Sequence, residues 1–282
     1  MSAQGTTGEA VSTADRAGDS ESLENLARIG LLAYGLVHLL VAWLALQLAW
    51  GGGGGEADQS GAMATLARSP VGKPLLWIIA IGLLALAVWQ AAEALQWRGA
   101  LRAHGRQRKK ALGRIGKSVV KAVVYIALAV TAVKFAVGSG KSSAQQQQQG
   151  TAGVFGWPGG QFLVGILALV LIGVGGYHVV KGVKKKFLDE IDLAAAPPST
   201  TRLITRLGQV GYAAKGIALA LVGGLLGYAA ITFDPSKATG LDGAMRTLVS
   251  APGGEILLTL VAIGIVAFAA FLFARARYPE RT

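Results

Sequence analysis

Residues 28–50 read RIGLLAYGLVHLLVAWLALQLAW, an arginine followed by an almost unbroken apolar run. A helix needs about 20 apolar residues to cross a hydrocarbon core of about 30 Å. Runs of similar length recur along the chain, and we predict six spans, at residues 31–50, 75–97, 119–138, 161–180, 209–232 and 256–274. Backbone polar groups in lipid must pair within their own segment, so the spans are helices. The predicted fold class is all-α, a polytopic membrane bundle of six transmembrane helices.

Composition supports a membrane protein and excludes several kinds of site. Only 15% of the 282 residues are charged and 52% are apolar, whereas a soluble domain carries roughly 25% charged residues. The chain has no cysteine, which excludes disulfides and thiolate metal sites. Its histidines lack zinc spacing, and no phosphate-binding loop or nucleophile elbow occurs. We therefore expect no metal, no cofactor and no enzymatic activity.

The positive charge is distributed as expected for a membrane protein. The net charge is +12, and Lys and Arg cluster in segments 98–118 and 181–206 and after the last span. Short cationic loops stay on the cytoplasmic side, which predicts cytoplasmic termini in a bacterial plasma membrane. Expected partners are the lipid bilayer, with anionic headgroups at the cytoplasmic face, and a membrane protein or a second copy of the chain. No nucleic-acid partner is expected, because a reading surface is lacking.

The chain contains an internal threefold repeat. An arginine and a glycine two residues later open each odd-numbered span, and a Pro-x-Gly element precedes each even-numbered span. The residues concerned are Arg28 and Gly30, Arg114 and Gly116, Arg206 and Gly208, and then Pro70, Pro158 and Pro252. The copies occupy residues 27–97, 113–184 and 205–277. Because each copy has two spans, all enter from the same side, which predicts parallel repeats in a pseudo-threefold arrangement.

The remaining segments are predicted to lie outside the bilayer. Residues 1–26 are expected to form a disordered cytoplasmic tail, 98–112 a basic cytoplasmic loop, 185–204 a cytoplasmic linker and 278–282 a short tail. Residues 61–68 and 243–250 are predicted to be short helices at the outer surface. The second copy has Gln145–Gln149 in place of the Gly-Ala-Met sequence that opens these two segments.

These motifs resemble the family of domain of unknown function 1206, a mainly actinobacterial group of membrane proteins. Its members have three tandem two-helix modules with an Arg-x-Gly start and a proline-containing outer loop. The resemblance covers residues 27–277 and implies the fold predicted above. It implies no activity and no functional residues.

Polar residues inside the spans are candidate functional groups, because burying them in lipid is costly. His38 and Lys215 lie at similar depth near the midplane, and Gln90 and His178 occupy equivalent repeat positions. A polar centre of these four residues would relay protons or hold an anionic ligand. The alternative is structural: lysines extend to the interface and the others bond neighbouring helices. Glu93 is expected to pair with Lys181 or Arg275 at the inner face.

Two functions fit this pattern. The first is a non-enzymatic membrane scaffold or accessory protein, which the short loops and few buried polar groups favour. The alternative is a small transporter or channel with a polar centre at the repeat interface. A central cavity touching His38 and Lys215 would favour transport, whereas an axis closed by Gly, Ala, Leu and Val would favour the scaffold.

Overall fold

The computed structural model describes residues 5–51, 55–102 and 105–279. Six of its helices are long and apolar enough to cross a membrane, which confirms the predicted fold class. They are α1 (Gly5–Ala49), α3 (Gly72–Gln96), α4 (Arg106–Ala136), α6 (Gly160–Val183), α7 (Pro198–Thr232) and α9 (Gly254–Arg277). In each repeat, one shorter helix connects the two spans: α2 (Gln59–Ala67) in the first, α5 (Ser143–Phe155) in the second and α8 (Gly240–Val249) in the third. We call the end of the bundle that holds α2, α5 and α8 the cap end, and the end that holds Arg28, Arg114, Lys181 and Arg275 the basic end.

The six spans follow one another around the bundle in repeat order. Helix α1 packs against α3, α3 against α4, α6 against α7, α7 against α9, and α9 against α1. A closed ring would also need α4 to pack against α6. Among the described residues, these two helices make no extensive contact. The arrangement is thus a ring of three parallel hairpins that stays open between the two spans of the second repeat.

The Pro-x-Gly element makes the same turn in all three repeats. The glycines Gly72, Gly160 and Gly254 each begin an even-numbered span. A methyl group on any of them would lie closer than 3.0 Å to a carbonyl oxygen of the preceding short helix. Glycine is required here because the chain reverses direction in van der Waals contact with its own backbone.

The short helix of the second repeat was not predicted. Residues Gln145–Gln149 lie within α5, whose N-terminus is capped by Ser142, with the Gln145 N–H donating to its Oγ at 3.3 Å. Glutamine is a good helix former, and the cap satisfies one of the free N–H groups of the first turn. The glutamine run is therefore the structural counterpart of α2 and α8.

Two segments outside the predicted spans differ from expectation. Helix α1 begins at Gly5, within the predicted disordered tail at 1–26, because extending an existing helix requires no new nucleation. The predicted linker at 185–204 contains a 3-10 helix at Lys186–Glu190 and the first turns of α7. Pro198 suits the first turn of a helix, and Phe187 is completely buried against the bundle.

Candidate functional site: two polar cavities along the helix bundle

Lys215 and His38, two of the four residues predicted to form a polar centre, lie close together. The ammonium group of Lys215 donates to the hydroxyl oxygen of Tyr34 at 3.0 Å and lies 4.3 Å from the ring centre of Phe268. His38 packs against the same two rings, with ring centroids 4.3 Å from Tyr34 and 5.1 Å from Phe268. Helices α1, α7 and α9 thus bring the two polar groups together on shared aromatic neighbours.

One ring nitrogen of His38 is hydrogen-bonded to the backbone. Its Nδ1 lies 2.9 Å from the carbonyl oxygen of Tyr34, so the geometry assigns the proton of a neutral ring to Nδ1. Nε2 makes no hydrogen bond to any residue that the structure describes. It remains an acceptor, and the His38 ring lines a cavity.

A cavity of about 270 Å³ extends from this centre to the cap end. Its floor contains Tyr34, His38, Lys215 and Phe268, and its rim contains polar residues of the cap, namely Asp58, Gln59, Ser143 and Gln147. We call it the cap-end cavity. Its volume corresponds to about nine water molecules at about 30 Å³ each, which is enough for a small solute.

The rim of the cap-end cavity is held by hydrogen bonds between repeats. Ser60 donates to Asp58 at 2.7 Å, and the backbone N–H of Ser143 donates to Ser60 at 2.9 Å. Asp242 of α8 accepts from the N–H of Ala57 at 2.8 Å and pairs with Arg246 at 2.7 Å. These bonds join the segment between the two spans of the first repeat to the equivalent segments of the second and third repeats. They hold the residues of the rim in place.

Asp58 is a buried carboxylate with an unused oxygen. Its Oδ1 caps α2 by accepting from the N–H of Gly61 at 2.8 Å, while Oδ2 has no hydrogen-bond partner among the residues that the structure describes. Burial raises the pKa of Asp58 above its ordinary value of 3.8, although the hydrogen bonds from Gly61 and Ser60 oppose this. The cap-end cavity therefore has an acidic group at its rim and a cationic group at its floor.

A larger cavity of about 780 Å³ lies at the basic end. We call it the basic-end cavity. Its wall carries three acidic residues, Glu93, Asp189 and Glu190, and seven cationic ones, Arg28, Arg114, Lys117, Lys121, Lys181, Lys186 and Arg275. The excess of positive charge favours an anionic occupant.

The ion pair predicted for Glu93 is wrong. Lys181 and Arg275 both pair with Glu190 of the 3-10 helix, at 2.6 Å and 3.2 Å. Tyr212 also donates to Glu190 at 2.8 Å, and Glu93 makes no ion pair with a described residue. Because Phe187 inserts beside Gly208, the segment after α6 folds back and brings Glu190 to the two cations.

Glu190 is ionised despite its burial. Burial by itself would raise its pKa, but the charges of Arg275, Lys181 and Lys121 outweigh that effect and place the pKa of Glu190 well below its ordinary value of 4.5. At neutral pH, Glu190, Lys181, Arg275 and Tyr212, which we call the Glu190 cluster, therefore form an ionic contact among α6, α9 and the segment before α7. The feature of the sequence that could have indicated this cluster is the pair of acidic residues Asp189 and Glu190, which lies within an otherwise basic loop.

Gln90 and His178 do not line either cavity. The Nδ1 atom of His178 lies 2.8 Å from the carbonyl oxygen of Val174, and its ring stacks on Tyr212 with centroids 5.9 Å apart. Gln90 is buried on α3, and its Oε1 accepts no hydrogen bond from the described part of the chain. The prediction that the four residues form one centre is therefore wrong for this pair, because equivalent repeat positions face different neighbours.

Aromatic side chains separate the two cavities. Leu31 lines the basic-end cavity and Tyr34 the cap-end cavity, and three residues of helix rise only about 4.5 Å. The Tyr34 ring contacts Tyr125 edge-on at 5.5 Å, and Phe268 contacts Tyr212 at 5.2 Å. Sequence reasoning missed this layer, although Tyr34 and Tyr212 occupy equivalent positions in the first and third repeats.

The chain belongs to the family of the domain of unknown function DUF1206. The sequence model of that family matches residues 29–96, 116–185 and 210–279, one match in each repeat. The chain is also similar to the uncharacterised protein YxxB of Bacillus subtilis (strain 168), with 30% identity over 260 residues and 92% of each chain covered. No solved structure matches. The repeats and the family are thereby confirmed, while the actinobacterial association stays a prediction.

Proposed function

We propose that this protein is a small transporter or channel that lets an anionic solute pass along the axis of the bundle. The observation that carries the proposal is the position of Lys215, a cation within a span that lines a cavity and has no acidic partner among the described residues. An ionisable group within a span is costly to insert into a bilayer, which makes it a candidate functional group. The proposal involves no chemical reaction, and a non-enzymatic role stays a prediction.

The hydrogen-bonding capacity of Lys215 supports an anionic solute. An ammonium group has three donors, and Tyr34 is its only hydrogen-bond partner among the described residues. The aromatic faces of Tyr34 and Phe268 stabilise the cation without neutralising it. Two donors thus remain for an acceptor in the cap-end cavity, and an anion supplies both the acceptors and the opposite charge.

The two cavities favour transport over a scaffold. A scaffold was expected to have its axis closed by small and aliphatic residues, with no cavity at His38 and Lys215. Instead, two cavities that include polar and charged residues approach the aromatic layer from the two ends, and the basic-end cavity carries excess cations. A rearrangement of Tyr34 and its ring neighbours would connect them. A scaffold role stays a prediction that the experiment below separates from transport.

We further propose that the basic end faces the cytoplasm of a bacterial plasma membrane. Lys and Arg are concentrated in the segments at this end, and cytoplasmic loops carry that excess. On this orientation, the cap-end cavity faces the outside and the basic-end cavity collects anions from the cytoplasm.

Flux into proteoliposomes tests the proposed function. Purified protein is reconstituted into vesicles, and chloride, inorganic phosphate and acetate are supplied in turn down a concentration gradient. We expect at least one anion to enter faster than into protein-free vesicles. Lys215→Met should slow this flux about tenfold or more, because a hydrogen bond to a charged group contributes about 1.5–3 kcal/mol.

A matched control uses a lysine outside both cavities. Lys134 is exposed near the cap end of α4, so Lys134→Met makes the same chemical change away from the axis and should leave the flux unchanged. Transport of an anion is refuted if none of the three probes crosses faster than in empty vesicles. It is also refuted if Lys215→Met and Lys134→Met conduct equally.

A further inference from the structure

The opening between α4 and α6 is the one place where the ring of spans does not close on itself. These two spans are also the least buried, with 22% and 17% of their apolar windows buried against values of 39% or more in the other four. Ala129, Ala132 and Ala136 of α4 belong to the main hydrophobic core, whereas Val164 and Ala168 of α6 belong to a second cluster. Helix α4 thus packs on α3, and helix α6 packs on α7.

Two cations at the basic end of this opening, Lys117 and Lys121, have no counterpart in the other repeats. Arg114, Lys117 and Lys121 lie on one face of α4, since residues three and four apart are neighbours on a helix. The positions of Lys117 and Lys121 are held by Leu31 and Gly35 in the first repeat and by Gln209 and Ala213 in the third. The second repeat alone combines separated spans with added positive charge.

These cations retain donors for a ligand. Lys121 is half-buried and makes no ion pair with a described residue. Lys117 reaches across the opening to the hydroxyl of Tyr177 on α6, at 3.5 Å. Lys181 and Arg275, in contrast, are already paired with Glu190. On the α4 side of the basic-end cavity, Arg114, Lys117 and Lys121 therefore make no ion pair with a described acidic residue.

We propose that an anionic phospholipid occupies this opening, with its acyl chains between α4 and α6 and its phosphate among Arg114, Lys117 and Lys121. In a bilayer, lipid fills a gap between two apolar helices, and the headgroup then lies at the level of the basic-end cavity. The lipid completes the ring that the protein leaves open. This proposal rests on the α4–α6 opening and stands whether or not an anion crosses at Lys215.

Native mass spectrometry of the intact protein in mild detergent tests the site. Phosphatidylglycerol and phosphatidylcholine are titrated separately, and inorganic phosphate is titrated as a third probe. Wild type should retain phosphatidylglycerol in preference to the other two. The double variant Lys117→Gln/Lys121→Gln should bind it about 25- to 30-fold more weakly, because each cation near an anionic lipid contributes about a factor of five in affinity.

Two further variants make the result specific. Lys109→Gln/Lys110→Gln removes two exposed cations from the first turns of α4 and should retain wild-type binding. Lys117→Arg/Lys121→Arg keeps the charge and should also bind. Equal losses in both Gln pairs would overturn the proposal in favour of general surface attraction. Equal affinity for phosphatidylcholine, or for inorganic phosphate alone, would overturn it in favour of a non-selective lipid or a free anion.

Discussion

The repeated Arg-x-Gly motif predicts equal behaviour in every repeat, but the structure predicts opposite effects of the same substitution. Gly30 of α1 lies against α3, where an added methyl group would come closer than 3.0 Å to Cγ of Leu86 and to the carbonyl oxygen of Gly82. Gly116, the equivalent residue of α4, has nothing within 4 Å of such a methyl group. Gly30→Ala and Gly116→Ala therefore form a matched pair.

The expected magnitudes follow from packing and helix propensity. Overpacking at residue 30 costs about 1–3 kcal/mol, and replacing a helical glycine by alanine returns about 0.5–1 kcal/mol. Gly30→Ala should therefore destabilise the protein by up to about 2.5 kcal/mol, because the backbone of α3 cannot move away without losing the α1–α3 contact. Gly116→Ala should be neutral or stabilising by up to about 1 kcal/mol, since only the propensity effect operates.

Thermal denaturation in one detergent, followed by tryptophan fluorescence, measures the difference. The midpoint should shift by about 2–4 °C per kcal/mol, downward for Gly30→Ala and not at all or upward for Gly116→Ala. Equal midpoints for the two variants would refute the reasoning, because they would mean that α4 packs in the second repeat as α1 packs in the first.

Two further predictions concern the Glu190 cluster. Because the pKa of Glu190 is below 4.5 in the folded protein, its contribution to stability is present above pH 4.5 and is lost as the pH falls below that value. Thermal denaturation midpoints measured from pH 7 to pH 3 should show this loss of stability in wild type and not in Glu190→Gln. If the midpoints of both proteins fall equally with pH, the ionised state of Glu190 does not stabilise the fold. Phe187 is fully buried and stacks on Tyr212 at 5.5 Å, so Phe187→Ala should cost about 3–5 kcal/mol in unfolding experiments. A loss below about 1 kcal/mol would show that the segment does not pack against the bundle.

The sequence was sufficient to predict the spans and the turns between them, although it did not predict helix α5 of the second repeat. The spans, the turn glycines at Gly72, Gly160 and Gly254, and the equal depth of His38 and Lys215 follow from periodicity and from the spacing of short motifs. Each is a local property of one helix or one hairpin. The computed structure and the family match confirm the three-repeat architecture that these local signals imply.

Contacts between repeats could not be predicted from the sequence. The motif around Gly116 is nearly identical to that around Gly30, yet only Gly30 meets a neighbouring helix. Glu93 has the repeat position of Lys181 and Arg275, but these two pair with Glu190, which follows a loop of unpredictable course. Which equivalent faces meet depends on the packing of all six helices, and a single sequence does not report it.

Labelling of single cysteines tests the central claim, that polar cavities enter the bundle from both ends and nearly meet at Tyr34. The chain has no native cysteine, so Ala218→Cys reports on the cap-end cavity and Ser118→Cys on the basic-end cavity. The exposed positions Ser236→Cys and Gln107→Cys define the two sides, and the buried Ala129→Cys serves as the unlabelled control. A small membrane-impermeant thiol reagent should label residue 218 only from the side that labels residue 236, and residue 118 only from the side that labels residue 107. If residues 118 and 218 both resist labelling as residue 129 does, the axis is closed and the proposed path does not exist.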